Sequence, residues 1–309
     1  MDKNLNSINA ECWDLYWEKR LLFMENLGKR EAILAASRLI RSLHLQAGRP
    51  VSVLELGCGE GQVVGALLDA HAQLCDTRRI AGVDYNAQSL RTCRRDFPRL
   101  KFIEGDITNA TLLGSLGTYD LILLVNTLHE VFSFEVSPEL GEVDVQAAKL
   151  RVENTLAAVV KCLAPEGWLV LFDGLEPPGD LQAPLTVRFT DASTLADFEM
   201  FARQYLPFRI DYRLEREPHC VTLSRRDFAR YVTKSIFLRK PLWEKERHES
   251  YQYFTEAEFR AAVARQGLQI VDLQTLTVDG EKWRSLVEII TPGEDFPQEH
   301  ILILAQRSG

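Results

Sequence analysis

The sequence has no long hydrophobic run. None of its apolar stretches approaches the roughly 20 residues that a membrane span requires, and its start, MDKNLNSINAECWD, lacks the apolar core of a secretory leader. The expectation is a cytoplasmic chain with no membrane span. Cysteines are few and scattered: the six at Cys12, Cys58, Cys75, Cys93, Cys162 and Cys220 form no C-x-x-C pair and have no histidine at ligand spacing. That excludes a disulfide framework and a zinc site as readings of the sequence, and no metal is expected. Internal repeats and low-complexity tracts are missing too. So is any excess of basic charge: 36 Lys and Arg stand against 44 Asp and Glu, a net charge of −8 that argues against generic nucleic-acid binding. The distribution is uneven. Residues 201–248 hold twelve Lys and Arg against six Asp and Glu, a local charge of +6 that leaves −14 for the rest. A local basic docking surface stays open on this count.

What is present is enough apolar material, 46% of 309 residues, to bury a sizeable core. From Asn9 to about Leu45 the pattern is helical. Trp13, Trp17, Leu21 and Met24 share one face, and Ile33, Leu34, Leu39, Ile40 and Leu43 continue the period, so two helices meeting near Gly28 are expected. Short apolar runs then alternate with helix-like segments: SVLEL, VVGALLDAH, IAGVD, AQSLRTCRRDF, KFIEGD, DLILLVN, AAKLRVENTLAAVVKCL and GWLVLFD. This rhythm predicts a doubly wound α/β fold with a mostly parallel sheet. It breaks after Asp173. About eighty residues rich in aromatics and charge intervene before TEAEFRAAVARQG, where Thr255 and Glu258 read as a capping box and Gly267 suits a helix end. LQIVDLQTL and HILILAQR close the chain as strands. The expected organisation is a helical lid over 1–48, a core over 49–175, an insertion over 176–253 forming lid or substrate pocket, and the last helix and strands of the core over 254–309.

In VLELGCGEGQ, Gly57, Gly59 and Gly61 fall where the first strand should turn into a helix, the ligand crevice of an open α/β sheet. The spacing G-x-G-x-G differs from the dinucleotide fingerprint G-x-G-x-x-G. Glu55, two residues before the first glycine, would repel a phosphate and suits a positively charged ligand. Taken alone, the glycines also suit a tight strand-to-helix turn.

With these residues, and with GVDYN, EGDIT and LLVNTLHE at the next strand ends, the chain resembles the class I S-adenosylmethionine-dependent methyltransferases over roughly Val51 to Asp173. The resemblance implies a Rossmann-like seven-stranded, mostly parallel sheet with N-terminal helices and an inserted substrate segment. It implies S-adenosylmethionine as cofactor and S-adenosylhomocysteine as product. It places Glu55, Gly57, Cys58, Gly59 and Gly61 around the methionine end and Asp84, with Tyr85 beside it, on the ribose hydroxyls. Asp106 and Ile107 fall to the adenine, and Asn126 to the floor of the active site.

Methyl transfer depends mainly on alignment and exclusion of water. A hydroxyl acceptor would want a base, and His129 is the best placed, with Glu130 orienting it or touching substrate and Asp173 on the same crevice edge. Helix capping and turn roles are the blander readings of these residues. Tyr16 and Trp17 in the N-terminal stripe, and Arg188 and His219 in the insertion, are candidates for the substrate pocket. Strand four lacks the N-P-P-Y arrangement of relatives that methylate bases or glutamine. The functional expectation is a methyltransferase of a small or amphipathic molecule, most readily at oxygen. An RNA or protein methyltransferase and a non-catalytic binding protein of the same fold are the alternatives, and the oligomeric state is open.

Overall fold

The computed structural model describes residues 27–136, 141–278 and 280–308. In chain order its core elements are α1 (Leu27–Ala47), β1 (Val51–Leu56), α2 (Gln62–His71), β2 (Cys75–Asp84), α3 (Ala87–Asp96), β3 (Lys101–Glu104), α4 (Ala110–Ser115), β4 (Tyr119–Val125), α5 (Leu128–Ser133), α6 (Val145–Val160) and β5 (Leu163–Gly174). There follow β6 (Pro184–Phe189), α7 (Ala192–Gln204), β7 (Tyr212–Leu214), β8 (Cys220–Ser224), α8 (Arg225–Lys234) and α9 (Trp243–Glu246). The chain closes with α10 (Glu256–Arg265), β9 (Leu268–Leu276), α11 (Gly280–Arg284), β10 (Val287–Ile289) and β11 (His300–Arg307).

Seven strands form one sheet in the order β3-β2-β1-β4-β5-β11-β9, parallel except for β11, which runs antiparallel to both neighbours. The sequence explains the layering. All seven residues of β4, YDLILLV, are buried. Leu121, Leu123 and Val125 enter the cluster formed with α1, α2 and α3, while Ile122 and Leu124 enter the cluster formed with α5, α6 and α10. A strand covered on both faces has no polar alternation to keep. Helices start where polar caps stand: Asn86, Asn109 and Asp144 each accept two backbone N–H groups at the heads of α3, α4 and α6. The strand order reverses between β1 and β4, which puts the ligand crevice at their carboxyl ends.

The insertion builds a second, antiparallel sheet, β10-β6-β8-β7. Its aromatics are its core: Phe189, Phe198, Phe201, Phe228, Tyr231, Trp243 and Trp283 pack together. The expected return to the core after residue 253 needs one correction. α10, β9 and β11 return, but β10 pairs with β6, and Trp283 and Val287 join the aromatic cluster. A three-residue strand inside a long connection gives little sequence signal.

Candidate active site

The crevice is assembled by backbone bonds from three strand ends. Gly57 and Cys58 donate to the Val83 carbonyl at 2.8 and 3.0 Å, and Gly59 N–H donates to Asp84 Oδ2 at 2.7 Å. Asp84 Oδ1 takes the Asn86 N–H at 2.8 Å, so each carboxylate oxygen keeps accepting capacity for a ligand. Gly57 has φ 74°, and a Cβ there would lie 2.5 Å from the Thr127 side chain; at Gly59, φ 51°, a Cβ would meet nothing within 4 Å. The turn is thus packed hard on one side and open to the cavity on the other.

A single cavity of about 540 Å³ lies over this turn, within the range of small-molecule sites. Glu55, Gly57, Cys58, Gly59, Asp84, Tyr85, Asp106, Ile107 and Asn126 all line it, so the sequence candidates for the cofactor converge. Gly61 sits behind the wall, against Cys93. Glu55 is buried at the head of α2, where it accepts the Val64 N–H at 2.9 Å. Burial pushes its carboxyl up to about 8, against the pull of Val64 N–H and Lys29. Burial likewise pushes the Cys58 thiol up, so it is no nucleophile. Asn126 adopts the left-handed conformation, φ 52°, held by its N–H on Phe172 O at 2.7 Å, and its Oδ1 is buried without a hydrogen-bond partner. A bare turn, a two-sided carboxylate, a buried acid and an orphaned amide oxygen fit a ligand with a ribose and a cationic amino-acid end.

Beyond these residues the cavity wall changes character: Val131, Ser133, Phe134, Arg151, Lys245, His248 and Glu249 complete it. Here the sequence expectation for His129 needs correction. His129 is 1% exposed and is not among the lining residues. Its Nδ1 bonds Asp173 Oδ1 at 2.8 Å, its Nε2 lies 3.6 Å from Glu249 Oε2, and its ring stacks on Tyr251 with centroids 3.7 Å apart. Burial alone would lower its affinity for a proton, but Asp173 and Glu249 outweigh burial and hold it at about 9. A charged ring with both nitrogens facing carboxylates has no free site to take a proton from an acceptor.

Asp173, also fully buried, accepts the Thr127, Leu128 and His129 N–H groups on Oδ2 at 3.0, 2.6 and 3.3 Å. It caps α5 and orients His129 together; burial raises its carboxyl, and His129 with the backbone donors brings it below the usual range. Glu130 does face the cavity. Burial and the Glu249 charge raise its carboxyl, with Lys245 at 3.3 Å opposing. Glu249 is raised by burial but held well below the ordinary range by Lys234, His129 and Lys245. His129, Glu130 and Glu249 bring ligand atoms within 4.8 Å of one another, as a metal site would. Lys234 at 3.0 Å from Glu249, and Lys245 between Glu249 and Glu130, already match these charges, so the cluster reads as an ion-pair network.

The substrate candidates fare differently. Tyr16 and Trp17 lie outside the described residues. Arg188 is on β6, paired with Glu217 and Glu288 at 3.0 Å each, and His219 is in the β7–β8 turn; neither lines the cavity. Lys29, Thr127, Lys245, His248 and Glu249 line it and carried no spacing signal, because α1 and the insertion bring them there through the fold.

Residues 53–143 match the family model described as a methyltransferase domain. No curated protein matches the chain in sequence. Similar solved structures include an S-adenosylmethionine-dependent methyltransferase from Mesorhizobium loti, at 16% identity over 84% of this chain and 92% of that one, TM-score 0.46. The 1,6-didemethyltoxoflavin-N1-methyltransferase of Burkholderia thailandensis is similar at 15% identity over 97% and 87%, TM-score 0.44. The magnesium protoporphyrin IX methyltransferase of Synechocystis is similar at 12% identity over 100% and 90%, TM-score 0.46. The match runs from within β1 to just before α6, the same stretch that builds the cofactor half of the cavity, and over that stretch the chain is similar to a methyltransferase domain.

Proposed function

We propose that the enzyme methylates a small or amphipathic molecule, most readily at an oxygen atom. One observation carries this reading: the cavity lined by the cofactor candidates is also lined by Val131, Ser133, Phe134, Arg151, Lys245, His248 and Glu249, a mixed apolar and polar wall that suits a small acceptor. When bound, S-adenosylmethionine supplies a methyl group already activated by its sulfonium. The chain's residues then have to hold and dry the reactants. Glu55, Gly59, Asp84, Asp106, Ile107 and Asn126 would hold the cofactor. Glu130 takes the proton from the acceptor hydroxyl: it faces the cavity, and burial and the Glu249 charge raise its carboxyl and so its basicity. His129 and Asp173 serve as positioning residues that fix the first turn of α5, and with it Glu130.

Calorimetric titration with S-adenosylmethionine and S-adenosylhomocysteine tests the cofactor half. Asp84→Ala should weaken both by about tenfold or more, the worth of a charged hydrogen bond. Transfer of a labelled methyl group to a panel of phenols, catechols and hydroxy acids tests the acceptor half. Glu130→Gln should cut kcat there and leave S-adenosylhomocysteine affinity within about twofold. Absence of cofactor binding by the folded wild type would sink the reading.

A further inference from the structure

We propose that Phe134 stacks on the acceptor and that the acceptor is a hydroxyl-bearing aromatic ring. The proposal rests on the acceptor reading above, with Glu130 as base, and names the substrate class that this half of the cavity selects.

Phe134 stands at the end of α5. Its neighbour Phe132 is buried in the core, whereas Phe134 lines the cavity and is 75% exposed. Its backbone stays helical, φ −75° and ψ −20°, so it lies four residues beyond Glu130 on the same side of the helix. Four residues of helix rise about 6 Å. A ring lying on Phe134 can therefore present a hydroxyl at its edge to the Glu130 carboxylate, which lines the same cavity. A saturated alcohol of the same size would also reach, but it has no flat face to stack.

One face of the Phe134 ring is already occupied. The Arg151 guanidinium of α6 lies over it, 5.0 Å from the centroid, and Glu135 holds that guanidinium at 2.6 Å. A fixed cation on one face orients the ring and draws its electron density to that side. The opposite face then suits an electron-rich ring, and a hydroxyl substituent makes a ring electron-rich. Stacking platform, guanidinium brace and carboxylate thus stand on two helices, α5 and α6, that pack against each other.

The test uses the complex with S-adenosylhomocysteine and two matched pairs of probes, phenol against cyclohexanol and 2-naphthol against decahydro-2-naphthol. Dissociation constants are measured by ligand-observed NMR for wild type, Phe134→Leu and Phe134→Tyr. Wild type should bind the aromatic member of each pair about three- to tenfold more tightly, the contribution of an aromatic pair beyond its buried area. Phe134→Leu keeps apolar surface but has no ring. It should lose the preference while holding the saturated probes within about twofold, and Phe134→Tyr should keep most of the preference. Because the side chain is three-quarters exposed, neither substitution threatens the fold. No preference in wild type, no binding of either class, or a preference that survives Phe134→Leu overturns the proposal. A folded wild type that does not bind S-adenosylhomocysteine overturns the cofactor reading beneath it, an outcome distinct from the other three.

Discussion

Glu55 is the residue whose ionisation the cofactor should change. With its carboxyl at about 8, it is mostly protonated at pH 7 in the free enzyme. An ammonium beside it favours the carboxylate form and lowers that value. Fewer protons are then bound in the complex than in the free enzyme, so binding releases a proton and affinity rises with pH up to about 8. Calorimetry at pH 7 in buffers of different ionisation enthalpy should show that release, and Glu55→Gln should abolish it. Folding has the opposite sign: an acid whose folded value is raised from 4.5 takes up a proton on folding, and its contribution to stability falls as pH climbs from 4.5 to about 8. At this scale the sequence was informative for the cofactor and poor for the acceptor. Glu55, Asp84 and Asp106 follow short motifs at strand ends, and the local chain alone places them. His129 follows a motif too, but its role depends on Asp173, Glu249 and Tyr251, residues that lie 44, 120 and 122 positions away. No spacing rule sees Glu249 next to His129.

Among the elements, helix starts were the most legible feature, because a cap is a local bargain between one side chain and nearby N–H groups. The capping box at α10 is realised as read: Thr255 accepts the Glu258 N–H at 3.2 Å, and Glu258 accepts the Thr255 N–H at 2.8 Å. Thr255→Ala should cost about 1 kcal/mol in urea denaturation. It should leave cofactor affinity unchanged, since α10 packs on β9 and α6 away from the cavity. The seven core strands were legible for a related reason: β1 and β4 are buried throughout, so hydrophobicity alone marks them. β7 and β10, with three residues each, are strands only because β8 and β6 stand beside them. Pairing of that kind is a property of the tertiary structure, and a window of sequence does not contain it.

For the whole molecule, the segment 201–248 shows how formal charge misleads. Its excess of +6 is met by carboxylates from elsewhere: Arg225 pairs with Glu294, Arg226 with Glu176, Arg239 with Asp197 and Lys245 with Glu130. What looked like a docking surface for a polyanion is largely spent on holding the insertion to itself and to the core. The deepest joint is Lys234, wholly buried, 2.5 Å from Glu246 and 3.0 Å from Glu249. Glu249 in turn meets His129 of the core, and the Ser250 N–H bonds Ser133 Oγ at 2.8 Å. Because this joint ties the second sheet to α5, the two sheets should unfold together. Urea curves by far-ultraviolet circular dichroism and by tryptophan fluorescence, the latter weighted by Trp243 and Trp283 in the second core and Trp168 on the first, should superimpose. Lys234→Met strips the buried Glu249 and the half-buried Glu246 of their shared cation and should cost about 3–5 kcal/mol. Adding Glu249→Gln and Glu246→Gln removes the stranded charges and should recover part of that loss. A Lys234→Met cost below about 1 kcal/mol, the range of exposed pairs, would mean that water reaches the joint and that the insertion is held by its aromatic core alone.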